Sequence, residues 1–174
     1  KFNKTIFMIS KRNRLLALLI FASVVLDQAS KILIRNYIDR YQSISLIGEY
    51  FTLTNVENPG AFLGMGSDLS PSLKLVLLLI LPVIVLGIVM YKLFTETTLD
   101  KWSTIGFASI IGGGIANMLD RFRFGSVTDF LHIDFGGVFR TGIFNVADMF
   151  VSAGLIILIL VGFKKKPQKE TTES

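Results

Sequence analysis

The stretch LKLVLLLILPVIVLGIVMYKLF, residues 73–94, decides the fold class. It is apolar except for Lys74 and Lys92 near its two ends. A helix of about 20 apolar residues crosses the hydrocarbon core of a bilayer. Pro82 in its middle predicts a kink of the kind membrane helices tolerate. The whole chain agrees with a membrane reading: 51% of its residues are hydrophobic and its mean hydropathy is +0.59.

Moving outward, three more runs approach the same length. LLALLIFASVVLDQASKILI (15–34) precedes it; WSTIGFASIIGGGIANML (102–119) and GIFNVADMFVSAGLIILILVGF (142–163) follow. The third run is crowded with small residues, which let helix backbones approach closely in lipid, so it is expected at the bundle centre. The expected fold is a membrane all-α bundle of four transmembrane helices with a small extracytoplasmic β-rich segment. One domain, 1–163, holds spans at about 15–34, 73–94, 102–119 and 143–163; residues 164–174 form a basic, polar tail, expected to be disordered over PQKETTES.

Charge placement sets the expected orientation. Of a formal +5, Lys1, Lys4, Lys11, Arg12 and Arg14 precede the first span, and Lys164, Lys165, Lys166 and Lys169 follow the last. Basic flanks mark the cytoplasmic side, so both termini are expected there. Segments 35–72 and 121–142 then face outward. The first contains SISLIGEYFTLTNVEN, whose Ile, Leu, Phe, Tyr and Thr predict a small sheet on the membrane surface. The basic charges flank apolar spans instead of forming a patch, so no nucleic-acid partner is expected. A basic start followed by an apolar run also describes a signal peptide. Asp27 and Lys31 occupy the region where cleavage would fall, with no clear A-x-A site. An uncleaved helix carrying an i,i+4 ion pair at its outer end fits better.

The chain has no cysteine and one histidine, His132. Thiol nucleophiles, disulfides, cysteine metal sites and two-histidine metal motifs are thereby excluded. Ser30 and Lys31 are adjacent, and adjacent helix positions point apart, which argues against a serine–lysine pair. GGGIAN (112–117) lacks a phosphate-loop lysine and reads as a packing stretch.

Carboxylates remain. The third span ends with Asn117-Met-Leu-Asp120 and the fourth begins with Asn145-Val-Ala-Asp148, each an amide and a carboxylate three residues apart. Consecutive helices place both patterns at the same outer boundary. The connecting RFRFGSVTDFLHIDFGGVFRTG (121–142) adds Asp129 and Asp134. Two carboxyls held together in apolar surroundings cannot both ionise easily, so one keeps a proton while the other acts as base. That arrangement can hydrolyse an amide. Each carboxylate also has a structural reading. Asp120 beside Arg121 is most simply a helix-end ion pair, Asp134 a solvated loop residue, and Asp129 either loop or site. Asp148, at the edge of hydrocarbon, is a functional candidate by default. Asn117 and Asn145 read as packing residues, as holders of the carboxylates, or both. Symmetry alone favours Asp120 as the partner of Asp148.

The markers Asp27-Gln28 with Lys31, Asn58-Pro59-Gly60-Ala61, Asn117-Met-Leu-Asp120-Arg121, Val127-Thr-Asp129-Phe130 and Phe144-Asn145-Val-Ala147-Asp148 occur in order along nearly the whole chain. In them the chain resembles lipoprotein signal peptidase (signal peptidase II), a bacterial inner-membrane aspartyl endopeptidase. The resemblance implies Asp129 and Asp148 as the catalytic pair, displacing Asp120. It implies supporting or substrate-binding roles for Asp27, Lys31, Asn58, Gly60, Asn117, Asp120, Arg121, Asn145 and Ala147. It further implies a diacylglyceryl-prolipoprotein substrate, cut on the amino side of the lipid-modified cysteine at the outer boundary of the inner membrane, with no metal or organic cofactor. The expected partners are that substrate, membrane lipids and globomycin-type inhibitors, and the expected state is a monomer. The chain departs from the family pattern at Ala116, where glycine is common, and in Asn58 to Gly64, where N-x-G-A-A-[FW]-G is commoner. Two other classes use the same carboxylates differently: a proton- or substrate-translocating protein without enzymatic activity, and a four-helix scaffold in which they are replaceable.

Overall fold

The computed structural model describes residues 11–61 and 64–164. The terminal charges Lys1, Lys4, Lys165, Lys166 and Lys169, the polar tail, and Phe62 with Leu63 of the Pro59–Gly64 stretch lie outside the described residues. Among the described residues four helices are long and apolar enough to cross a membrane: the first span Lys11–Tyr37, the second Pro71–Thr95, the third Lys101–Phe124 and the fourth Val146–Lys164. A three-stranded sheet, β1 (Ser43–Ile47), β2 (Phe51–Asn58) and β3 (Val127–Ile133), completes the fold. The expected four-helix bundle with a small β-rich segment is the observed architecture.

Small residues explain why the third span is central. None of the apolar window of the second span is buried inside the protein, against 39% of that of the third. Successive residues of an α-helix are rotated by about 100°, so Gly112, Gly113 and Gly114 face three different neighbours. A methyl at Gly112 would meet Ser23 Cβ of the first span at 2.6 Å. At Gly113 it would meet the Ala147 carbonyl oxygen of the fourth at 2.4 Å, and at Gly114 the Leu86 side chain of the second at 2.8 Å. Further along, Gly106 and Gly154 bring the third and fourth helices together again, each with the other's carbonyl oxygen within 3.0 Å of an added Cβ. In lipid this close packing holds helices together where burial from water cannot. Leu16, Ile20, Leu93, Ala108 and Ile111 fill the core at the end away from the sheet.

The second span adapts to Pro82 by changing helix type. Proline cannot donate to the Leu78 carbonyl four residues back, and its ring crowds that oxygen. The preceding turn, Leu75–Ile80, is π-helical, with Leu81 N–H bonded five residues back to the Val76 carbonyl.

At the other end, β1, β2 and β3 form an antiparallel sheet in chain order. The segment 121–142, expected as a connection, therefore holds a strand. A register shift between Leu53 and Val56 sets Val56 opposite Asp129, Glu57 opposite Thr128 and Asn58 opposite Val127. Alternation then sends Asp129 and Asn58 to one face and Thr128 and Glu57 to the other. Phe130 packs with Ile34 of the first span and with Ile38 just past its end, which ties the sheet to the bundle.

Helix ends differ from expectation by up to five residues. The third span continues past Leu119 to Phe124 and stops at Gly125, whose φ of 74° is left-handed. Asp120 and Arg121 are thus helical. The fourth helix starts at Val146, so Asn145 precedes it as its cap.

Gly113→Ala should force the third and fourth helices apart, at about 1–3 kcal/mol for overpacking. Gly87→Ala, with nothing within 4 Å of its added methyl, should be neutral or gain about 1 kcal/mol in helix propensity. Thermal unfolding of both variants in detergent checks the contrast.

Candidate active site

Asp129 and Asp148 arrive from different elements: Asp129 from β3, Asp148 from the first turn of the fourth helix. Asn145 joins them. Its side-chain amide donates to Asp129 Oδ1 at 2.6 Å, and its main-chain N–H donates to Asp148 Oδ2 at 3.1 Å. In return Asp148 N–H donates to Asn145 Oδ1 at 2.9 Å. This reciprocal exchange across three residues is a capping box, which satisfies backbone donors left over at a helix start. The spacing seen in the sequence is therefore a cap as much as a shared face.

The remaining carboxyl oxygens have one donor each. Asn58 Nδ2 donates to Asp129 Oδ2 at 2.9 Å, and Asn117 Nδ2 donates to Asp148 Oδ1 at 3.0 Å. All three asparagines present their amide nitrogen to the pair because another group holds their oxygen. Asn58 Oδ1 accepts from Gly60 N–H at 2.9 Å, Asn145 Oδ1 from Asp148 N–H, and Asn117 Oδ1 from Lys31 Nζ at 2.8 Å. An amide can present either end, so these second contacts decide which end faces the carboxylates.

Burial lifts the Asp129 carboxyl to about 6, opposed by the Asn58 amide and reinforced by the nearby Asp148 charge. Asp129 is 4% exposed, which is why desolvation dominates. A group that holds its proton near neutrality beside a second carboxyl suits acid–base work.

Behind the pair lies a buried ionic cluster. Lys31 Nζ contacts Asp27 Oδ2 at 2.8 Å, Asp120 Oδ2 at 3.0 Å and Asn117 Oδ1 at 2.8 Å, and all these charged side chains are wholly buried. Three donors of one ammonium thus meet three acceptors. The Asp27–Lys31 pair expected from spacing is present. Asp120 does not pair with its neighbour Arg121, contrary to the helix-end reading. Consecutive helix residues point about 100° apart, so Asp120 turns to Lys31 and Gln28 (3.0 Å) while Arg121 turns to the Gly60 carbonyl at 2.8 Å. Asp27 Oδ1 accepts from Ala147 N–H at 2.8 Å, linking this cluster to the start of the fourth helix. Asp134 is not simply solvated either: it pairs with Arg140 at 3.5 Å and accepts from Gly137 N–H at 3.0 Å.

The other carboxylates and amides singled out in the sequence thus converge, in two connected groups, whereas Asp134 lies apart with Arg140. Sequence reasoning missed Arg35, Glu57 and Thr128, and used Gln28 only as a marker. Arg35 Nη2 stands 3.0 Å from Asp120 Oδ2, and its Nε donates to Thr128 Oγ1 at 2.8 Å. Thr128 donates to Glu57 at 2.8 Å through its hydroxyl and to Asp120 at 3.2 Å through its N–H. These contacts hold one face of β3, leaving Asp129 to project from the other. The missed signal was spacing: Asp27, Lys31 and Arg35 form one i, i+4, i+8 stripe.

Two cavities adjoin the pair. One of about 540 Å³ is lined by Asn58, Pro59 and Asp129; the other, of about 350 Å³, by Phe144, Asp148, Met149 and Ser152. Arg140, Thr141 and Gly142 line both. Among the described residues no group of three or more His, Asp or Glu side chains is arranged to hold a metal ion.

A family model described as signal peptidase (SPase) II matches residues 19–164. The lipoprotein signal peptidase of Borrelia turicatae is 37% identical over 164 residues, covering 90% of this chain and 95% of the relative. That of Streptococcus pyogenes is 32% identical over 155 residues, covering 89% and 97%. A solved bacterial membrane enzyme superposes with a TM-score of 0.78 at 25% identity, covering 92% of this chain and 94% of its own.

Lys31→Met leaves Asp27 and Asp120 buried without their shared cation, an uncompensated loss of about 3–5 kcal/mol. A second change, Asp27→Asn, should recover part of it. Melting temperatures of the single and double variants in detergent measure both effects.

Proposed function

The chain belongs to the signal peptidase II family, and from that premise we propose that Asp129 and Asp148 form its hydrolytic pair. Its substrate is a prolipoprotein whose cysteine carries diacylglycerol, cut on the amino side of that cysteine. The observation that carries this reading is Asn145, which bridges the two carboxyls while each of their oxygens accepts a protein donor.

The chemistry follows from one proton shared by two acids. The ionised carboxyl takes a proton from water, and the water oxygen bonds to the scissile carbonyl carbon. The protonated carboxyl gives its proton to the carbonyl oxygen. When the tetrahedral intermediate collapses, the carbon–nitrogen bond breaks and the leaving nitrogen takes up a proton. The products are a signal peptide with a new carboxylate and a lipoprotein with a free amino group on its cysteine. The pair titrates as one unit. The asparagine amides fix the planes of both carboxyls, and Arg121 adds positive potential close by.

In this reading the sheet end of the bundle, with the pair, faces the outer side of the inner membrane, and both termini are cytoplasmic. The basic flanks and even number of spans support that orientation. The proposed oligomeric state is a monomer. Asp27, Lys31, Asp120, Gly60 and Ala147 support the site without touching substrate. Globomycin-type inhibitors would bind against the carboxyl pair.

Asp129→Asn and Asp148→Asn should each reduce cleavage of a diacylglyceryl-modified substrate by at least about 100-fold while remaining folded. Asp120→Asn should retain measurable activity. A gel-shift assay, repeated with globomycin, reads reaction, substrate class and inhibitor together; full activity in either catalytic variant sinks the assignment. Proton-coupled flux in liposomes without cleavage would replace it with a translocating role.

Stability should carry the mark of Asp129. Its folded pKa lies above the ordinary carboxylate value, so its contribution is present at low pH and lost as pH rises through about 6. Asp129→Asn lacks the titrating group, so its stability relative to the parent should rise by on the order of 1–3 kcal/mol between pH 4.5 and pH 7, on top of the pH-independent cost of setting its NH2 against the Asn58 or Asn145 donor. The kcat/KM of the parent should fall on the alkaline side as the shared proton is lost. Unfolding at the two pH values and a pH–rate profile test both statements.

A further inference from the structure

A third cavity continues the line of the two beside the aspartates. It has a volume of about 270 Å³ and lies between the outer part of the second span and the end of the third. Leu75, Leu78 and Leu79 form its apolar wall, with Lys74 and Arg121 at its polar side. Pro59 lines both this cavity and the Asp129 cavity. The order across the sheet end of the bundle is therefore fourth span, Asp148, Asp129, Pro59, second span.

Three properties distinguish this cavity. Its leucines belong to the span with none of its apolar window buried inside the protein, so it opens toward hydrocarbon. They lie on the π-helical turn that Pro82 imposes, which widens the helix where the cavity forms. Lys74 has no ion-pair partner among the described residues, and Arg121 commits one guanidinium nitrogen to the Gly60 carbonyl. Donors thus stand at the head of an apolar slot. The cavity beside Asp148 is different, since its cation, Arg140, is already paired with Asp134.

We propose that the cavity between the second and third spans is the subsite for the diacylglyceryl group of the substrate, which rests on the peptidase reading above. The acyl chains lie on Leu75, Leu78 and Leu79, and the glycerol ester carbonyls accept from Lys74 and Arg121. The peptide bond on the amino side of the cysteine then reaches the carboxyl pair past Pro59. The signal peptide leaves toward Met149 and Ser152 on the fourth span. This fixes which end of the substrate meets which helix.

A prolipoprotein with a diazirine on its acyl chain tests the assignment, using the Asp129→Asn variant to hold it uncleaved. Photolabelling should map to residues 74–79, exceed labelling by a diazirine phosphatidylglycerol by about 10-fold, and be displaced by unlabelled lipidated substrate but not by the peptide lacking lipid. Labels on residues 149–152, or equal labelling by the phospholipid, overturn the proposal. Lys74→Gln should raise KM for the lipidated substrate about 10-fold with kcat unchanged, the size of one charge-assisted hydrogen bond. An unchanged KM removes Lys74 from the subsite. Failure of the parent enzyme to cleave the probe would instead count against the peptidase reading, so the two can fail separately.

Discussion

The Lys31 ammonium, wholly buried among Asp27, Asp120 and the Asn117 amide, is the contact on which the site depends. It joins the first span to the third directly, and through Asp27 and Ala147 it reaches the start of the fourth. Buried ion pairs stabilise little relative to apolar packing, yet breaking one is costly. Such a contact therefore contributes more to selecting one arrangement of helices than to holding it. Because Lys31 occupies the Asn117 oxygen, the amide nitrogen must face Asp148. A charge one layer behind the chemistry thus orients the group that touches it.

The glycines of the third span and the ionic cluster are two parts of one solution. Gly112 and Gly113 let the first and fourth helices approach until Asp27 can accept from a backbone N–H of the fourth. Larger residues would widen the bundle, and the short contacts around Lys31 would open. The sheet completes the assembly from the other side. Its register shift decides that Asp129, and not Thr128, projects toward Asn145. A slip of one residue would exchange their faces.

Much of this was legible from the residues. The four apolar runs, the central place of the glycine-rich span, the Asp27–Lys31 pair and the amide–carboxylate spacings are local patterns, and local patterns survive folding. The strand Val127–Ile133 was less visible because its partner β2 lies some 70 residues away and supplies the pairing. Asp120 and Arg121 were read as a pair because they are adjacent, whereas helix geometry separates them. The symmetry between Asn117–Asp120 and Asn145–Asp148 does not extend to their surroundings. Both share a spacing, but one lies within a helix beside Lys31 and the other caps a helix start. The proposal of Asp129 over Asp120 rests on the family resemblance and on the three-dimensional contacts of Asn145.

Asn145 has a consequence for how this protein can change. The same side chain starts the fourth helix and bridges the two carboxyls, so folding and the proposed chemistry share a switch. A chain whose fourth helix frays at its first turn also releases Asp148 and Asp129 from each other. On the proposed function, an incompletely inserted or partly unfolded molecule would thus be a poor hydrolase. The same coupling narrows variation: a substitution that improves the helix cap alone, such as serine or aspartate at 145, would do so by giving up the amide that faces Asp129.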